Sequence, residues 1–416
     1  MAGVFRHHIR YAISFAAAGV VALALCVEAK RARGQDQTVD ITEFLKQHQL
    51  ELRAPGGRLD GPAARWLREE ASKAQFAFIG EEHDTREIPL IVGALWRELV
   101  PLGYRHAAIE SGQWLGGRLD RFARFNDQKA LAQFKASALP RRPNVSVPPS
   151  SEEDIAFYET LGQAGQFRLP LIWGIDHEFR VAPLLSRLLE FAPDGTKRRQ
   201  IESALTKVAD AEMSGKYNMQ PFKREIETIA GNISARPGSE AAQIQDALRR
   251  RVFGNEFDQP RSDVFRRLFL RNYRAAQVAG EAKPKVLLRL GGYHAKRGLG
   301  SDYGYGPSTL ANFMAEFAYL EGGQMLNLRF SACSTTSTED WRAPKSHPRP
   351  CSPSERVWVK PFLAAAAAQW TLFGLRELRR PLREGRLNVE WELGQIIAGF
   401  DAVVLLKDSE RAHFSP

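Results

Sequence analysis

The chain has 416 residues, 44% hydrophobic and 25% charged, a composition that excludes intrinsic disorder and supports a sizeable core. Its net charge is +10; residues 1–34 hold five basic and one acidic residue, which leaves +6 for the remainder. No Lys/Arg run or aromatic–basic interleaving marks a track for a phosphate backbone, so nucleic acid is excluded as a partner, while the mild excess suits anionic substrates or an envelope surface.

Residues 1–34 read as a targeting segment. A basic start (Arg6, His7, His8, Arg10) precedes an apolar run from Tyr11 to Val27, and Ala32-Arg33-Gly34 offers a small-x-small cleavage pattern before Gln35. The run, about seventeen residues, is at the short limit for a membrane span. It is a cleaved signal peptide or a retained N-terminal anchor that tethers the chain to a membrane, and both readings stay open. Either way the chain is expected in the periplasm or cell envelope. Cys26 lies in this run, which leaves Cys333 and Cys351 flanking a polar, Pro-rich loop. In an oxidising compartment they would pair; otherwise they are two unrelated thiols.

In chain order, 35–73 reads as a polar leader with one or two short helices, broken at Gly56-Gly57 and Gly61-Pro62. Phe76 to Ile79 is a short buried strand that stops at Gly80 and gives way to Glu81-Glu82-His83-Asp84-Thr85-Arg86-Glu87. A helical pattern follows at once through Ile88, Ile91, Val92, Leu95 and Leu99. Tyr104 to Ile109 is a second strand, ending at Glu110, and its spacing from the first is that of a βαβ unit. Residues 112–138 read as helix, and Ser151-Glu152-Glu153-Asp154 opens another with an N-cap and an acidic first turn. Leu169 to Ile175 is a third strand, running into Asp176-His177-Glu178. Residues 181–256 carry helical periodicity and no strand signal. Arg261 to Ala279 is a strong helix, and Lys285 to Leu290 a fourth strand before Gly291-Gly292-Tyr293-His294. A Gly/Tyr loop (299–306), a helix (308–320), a strand from Met325 to Phe330, an alanine-rich segment (362–368) and a last strand from Ala402 to Leu406 complete the chain. The reading is α/β: a mainly parallel central sheet flanked by helices, residues 35–180 and 257–416 forming its two parts and 181–256 a helical insertion.

Four of these strands end alike. They deliver Glu81 and His83, Glu110, Asp176 and His177, and Tyr293 and His294. In a parallel sheet the carboxyl ends share one edge, where ligands bind. A histidine beside a carboxylate can work as a general base near neutral pH, so His83, Glu81, Glu110 and His294 are the candidate catalytic residues. Arg86, in the first helical turn, would steady an oxyanion or an acidic group. His106 enters its strand rather than leaving it and reads as structural. No G-x-S-x-G, H-E-x-x-H, P-loop or G-x-G-x-x-G is present. Water activated by histidine is the simplest chemistry, although the same residues could hold a divalent metal or a haem iron.

Gly80-Glu81-Glu82-His83-Asp84-Thr85-Arg86-Glu87 resembles the G-E-x(1,2)-H motif of the erythromycin-esterase-like proteins, and also the G-E-x-H-D motif of the ChaN-type haem-binding lipoproteins of the same wider Tiki/TraB-like superfamily. Tyr104 to Glu110, Arg261-Ser262-Asp263 with Asn272, Leu290 to Gly298 and Phe400-Asp401-Ala402 are similar to the later motifs, so the resemblance spans roughly 70–410. It implies an exported hydrolase in which His83 activates water against an ester or lactone, Glu81 supports it, and His294 with Glu110 completes the site. Arg261 would face the same crevice, and Arg86, His177 and Tyr293 would contact substrate. The Glu–His spacing is that of the haem-binding branch. It therefore implies, as alternatives, an envelope protein that binds haem or metal without turnover, or metal-dependent peptide cleavage as in the Tiki branch. A purely structural role for the ionisable residues is the remaining reading.

Overall fold

The computed structural model describes residues 38–137, 151–192, 195–214, 219–232, 234–253, 261–298, 309–333, 351 and 355–413. The targeting segment expected over 1–34 and the Gly/Tyr loop expected over 299–306 lie outside the described residues. Eight strands form one sheet: β1 (Gln49–Glu51), β2 (Phe76–Glu81), β3 (Tyr104–Gly112), β4 (Ile172–Asp176), β5 (Lys285–Gly291), β6 (Met325–Ser331), β7 (Trp370–Gly374) and β8 (Ala402–Leu406). Their order across the sheet is β1-β7-β8-β6-β2-β5-β3-β4. The β4-β3-β5-β2-β6-β8 stretch is parallel throughout, and β7 and β1 add an antiparallel margin. The fold is thus the expected mixed α/β one, with a mainly parallel sheet.

Strand pattern and layers agree. All six residues of β2 are buried, as a central strand covered on both faces requires. Ala77 and Ile79 face one apolar cluster while Phe76 and Phe78 face the other, the period-2 alternation of a strand. The first face is covered by helices Pro62–Lys73, Glu87–Leu99, Gln113–Phe125 and Glu152–Gln163. The second is covered by Arg261–Val278, Leu310–Leu320 and Trp391–Gly399. Residues 182–253 carry the helices Ala182–Leu189, Thr196–Met213, Lys223–Asn232 and Glu240–Phe253 and no strand among the described residues, and their Leu184, Ile201, Val208, Ile226 and Leu248 extend the first core.

Three local expectations change. The helix expected over 112–138 is two, Gln113–Phe125 and Gln128–Ser137, because Asn126 turns the chain in the left-handed region (φ +52°). The third strand starts at Ile172 rather than Leu169. Pro170 has no N–H to offer a ladder, and the Asp120 carboxylate takes the N–H groups of Leu171 (2.6 Å) and Ile172 (3.1 Å). β1 and β7 are additions at the margin of the sheet.

Candidate active site

Parallel pairing sets the strand ends side by side. Glu81 lies opposite Gly291, and Ile109, just before Glu110, lies opposite Arg289. After β2 the chain turns through Asp84, a non-glycine residue in the left-handed region (φ +60°), which aspartate tolerates better than most. That turn places His83 above the sheet edge and starts the helix at Glu87.

Both ring nitrogens of His83 meet carboxylates: Nδ1 lies 3.0 Å from Glu81 Oε1, and Nε2 lies 3.4 Å from Glu110 Oε2. Glu110 is the hub. Its Oε1 accepts from Arg261 Nη2 (2.6 Å) and lies 3.4 Å from His294 Nε2, while its Oε2 accepts from the Gly291 N–H at 2.6 Å. Arg261 in turn donates to both oxygens of Asp176, with Nε at 3.1 Å from each. Asp176 Oδ1 is 3.1 Å from His177 Nδ1. The chain thus brings together Glu81, His83, Glu110, Asp176, His177, Arg261 and His294 from four adjacent strand ends and one helix. The imidazole of His294 is packed edge-on against Phe265, with ring centroids 4.8 Å apart. Tyr293, 44% exposed, stands at the rim.

One expected residue, Arg86, sits apart from this hub, and so does His106, which was expected to be structural. Arg86 is directed to Glu410 and, at 3.9 Å, to Glu153, where it ties the segment after β8 to the start of the Glu87–Leu99 helix. Its guanidinium is thus paired with carboxylates outside the Glu110 hub. His106, read as structural, is clamped between the Pro170 carbonyl (2.8 Å) and Glu281 (2.9 Å) and stacks on Trp173.

Sequence reasoning passed over Arg289 and Asp154. Arg289 is buried in β5. Its Nε donates to Glu81 Oε2 at 2.5 Å, its Nη2 to Asp154 Oδ1 at 2.7 Å, and its guanidinium lies over the Phe157 ring at 4.7 Å. Asp154 also closes a capping box with Ser151 at the N-terminus of its helix. The signal that could have found Arg289 was a lone charge inside an otherwise apolar central strand, which is costly unless paired.

The charges set one another. Burial opposes the charged form of His83, but Glu110 and Glu81 more than offset it and raise its pKa from 6.5 to about 10. Burial likewise works against Glu110, yet His294, Arg261 and His83 hold its carboxyl well below the usual range. Burial opposes Glu81 too, and Arg289 and His83 keep it low. At neutral pH the resting site is an imidazolium held between two carboxylates.

A haem iron or divalent metal would need an imidazole lone pair or uncommitted carboxylate oxygens. Both His83 nitrogens and Nε2 of His294 face carboxylates, and both oxygens of Glu110 accept hydrogen bonds, so a metal ion here would have to replace these contacts. Among the described residues, metal-ligand spacing occurs at Glu82, Cys333 and Glu355. There Cys333 is bonded to Cys351 and offers no thiolate.

No protein-family model matches the chain, and no curated protein matches it. Solved structures do. The chain is similar to an erythromycin esterase mutant in its open conformation, at 16% identity and a TM-score of 0.54 over 88% of this chain and 98% of that one. It is similar to a Bacillus cereus protein at 14% identity and a TM-score of 0.53 (90% and 98% covered), and to a succinoglycan biosynthesis protein at 12% identity and a TM-score of 0.51 (90% and 98% covered). At these identities the likeness is one of fold, and the fold is erythromycin-esterase-like.

Proposed function

We propose that the protein is a hydrolase that cleaves an ester-like bond with water activated by His83. The observation that carries this reading is the placement of His83 Nδ1 on Glu81 and Nε2 on Glu110, with His294 on the opposite side of the same carboxylate. The fold likeness to an erythromycin esterase supports it.

The contact lengths suggest how an imidazolium becomes a base. Glu110 is pinned by Arg261 and the Gly291 N–H at 2.6 Å each, whereas both imidazoles stand off at 3.4 Å. A substrate entering the crevice displaces the looser pair. Parted from Glu110, His83 loses its strongest source of extra basicity and can release its Nε2 proton to solvent water, while Glu81 still holds Nδ1. Nε2 then takes a proton from the attacking water, and the imidazolium so formed returns it to the leaving oxygen. His294, which stands off Glu110 at 3.4 Å, is the side chain placed to meet the developing oxyanion, while Arg261 holds Glu110 and Asp176 in place.

The test is turnover by residues 35–416 against a panel of esters and lactones, with His83→Ala beside it. Activity in the parent and none in a well-folded variant is the expected result. A folded His83→Ala protein as active as the parent defeats the assignment.

A further inference from the structure

We infer that Arg289 and Asp154 are positioning residues for His83, an inference that rests on the hydrolase reading for its kinetic part only. Acid and base side chains alternate without a break along Asp154, Arg289, Glu81, His83, Glu110, Arg261 and Asp176. His83 is at the centre of the row. On each side a carboxylate touches the ring and an arginine grips that carboxylate from behind.

The two arginines differ in what surrounds them. Arg261 opens the Arg261–Val278 helix and shares Glu110 with His294 while also holding Asp176. Arg289 lies within the sheet, in register with Ile79 of β2 and Ile109 of β3, under the Glu152–Gln163 helix. It is buried beneath Glu81, and its link to His83 runs through that carboxylate. A side chain buried among apolar strands at such cost needs a return, and the contacts name one. With Oε2 fixed by Arg289, the Glu81 carboxylate cannot rotate, so Oε1 stays on His83 Nδ1 and fixes both the ring orientation and which nitrogen faces the crevice. Asp154 sets the guanidinium in turn, and the capping box with Ser151 fixes Asp154. The strut therefore runs from a helix N-terminus through the middle of the sheet to a ring nitrogen.

Proton NMR tests this without requiring a substrate. The His83 Nδ1–H bonded to Glu81 gives a downfield signal, identified by its loss in His83→Gln. Arg289→Met is expected to abolish or broaden it, and Arg289→Lys, which keeps the charge but not the two-armed grip, to retain part of it. On any substrate the parent hydrolyses, Arg289→Met should lower kcat about 100-fold with KM nearly unchanged, as misorientation rather than lost binding predicts. If Arg289→Met does not fold, Asp154→Asn carries the same test with a broadened signal and a smaller loss of kcat. A folded variant of either kind with the signal of the parent overturns the inference. Should the parent hydrolyse nothing, the signal alone decides, so failure of the hydrolase reading is distinguishable from failure of the strut.

Discussion

A histidine gripped at both nitrogens makes pH a direct probe. The folded pKa of His83 is raised, so its stabilising contribution is complete below 6.5 and is lost as pH rises through about 10. In kinetics, kcat/KM reports the free protein and should climb along a limb near 10. For kcat, which reports the complex, the limb should lie lower, because bound substrate has parted His83 from Glu110. Two coincident limbs in a pH–rate series would contradict that displacement. Glu178 makes a second case with the opposite consequence in protonation. Burial pushes its carboxyl up from 4.5 to about 7, against the N–H groups of Trp114 and Leu115 that bond Oε1, and Oε2 accepts nothing among the described residues. A raised acid favours the neutral form, so stability falls as pH rises from 4.5 through 7. Glu178→Gln should remove that slope and gain on the order of 3 kcal/mol at pH 8.5, read from urea unfolding at pH 5 and 8.5. Of these residues, His83, Glu110 and His294 were legible because reactive types stood just beyond apolar runs. Arg289 was not: its charge within the apolar run of Lys285 to Leu290 signals a buried partner, but nothing local names that partner as Asp154, 135 residues away in the chain.

At the scale of elements, β2 and the short helix Gly292–Ala295 touch where there is no space. A Cβ on Gly80 would meet Ala295 Cβ at 2.6 Å and Gly292 Cα at 3.1 Å. Gly80→Ala should therefore cost roughly 2 kcal/mol, and because the displaced helix carries His294, activity should fall by more than stability alone explains. Denaturant titration with kinetics on the folded fraction separates the two; a loss explained entirely by unfolding would mean that helix does not move. Six strands declared themselves through apolar runs bounded by glycine, proline or charge. β1 and β7 did not. Three half-exposed residues, Gln49-Leu50-Glu51, carry no periodicity, and Trp370 to Gly374 is paired to β1 and β8 by tertiary contact rather than by pattern. The start of β4 moved by three residues, from Leu169 to Ile172, where Asp120 took over the backbone donors of Leu171 and Ile172.

For the whole molecule, Cys333 and Cys351 are joined. They close a loop with a sequence separation of 18 residues, for which chain-entropy arguments give about 3 kcal/mol. Unreduced, denatured residues 35–416 should show no titratable thiol, and dithiothreitol should lower the melting temperature. Two titratable thiols would rule the bond out in solution. The order β6-β2-β5-β3-β4 could not be read from the sequence, since hydrophobic runs say which residues are buried but not which neighbour they pair with.

The segment after β8 returns to where the site began. Thr85 bridges Arg411, the Arg86 N–H donates to the Glu410 carbonyl, and the Ala412 N–H donates to the Asp84 carbonyl. The turn that aims His83 is therefore buttressed by residues synthesised more than three hundred codons later. A ribosome-bound nascent chain can lay down β2 and its first neighbours, but it cannot brace the turn that carries His83 until Ala412 has emerged. Products that terminate between His294 and Glu410 would carry every residue of the Glu110 hub and still lack the brace that shapes its first loop.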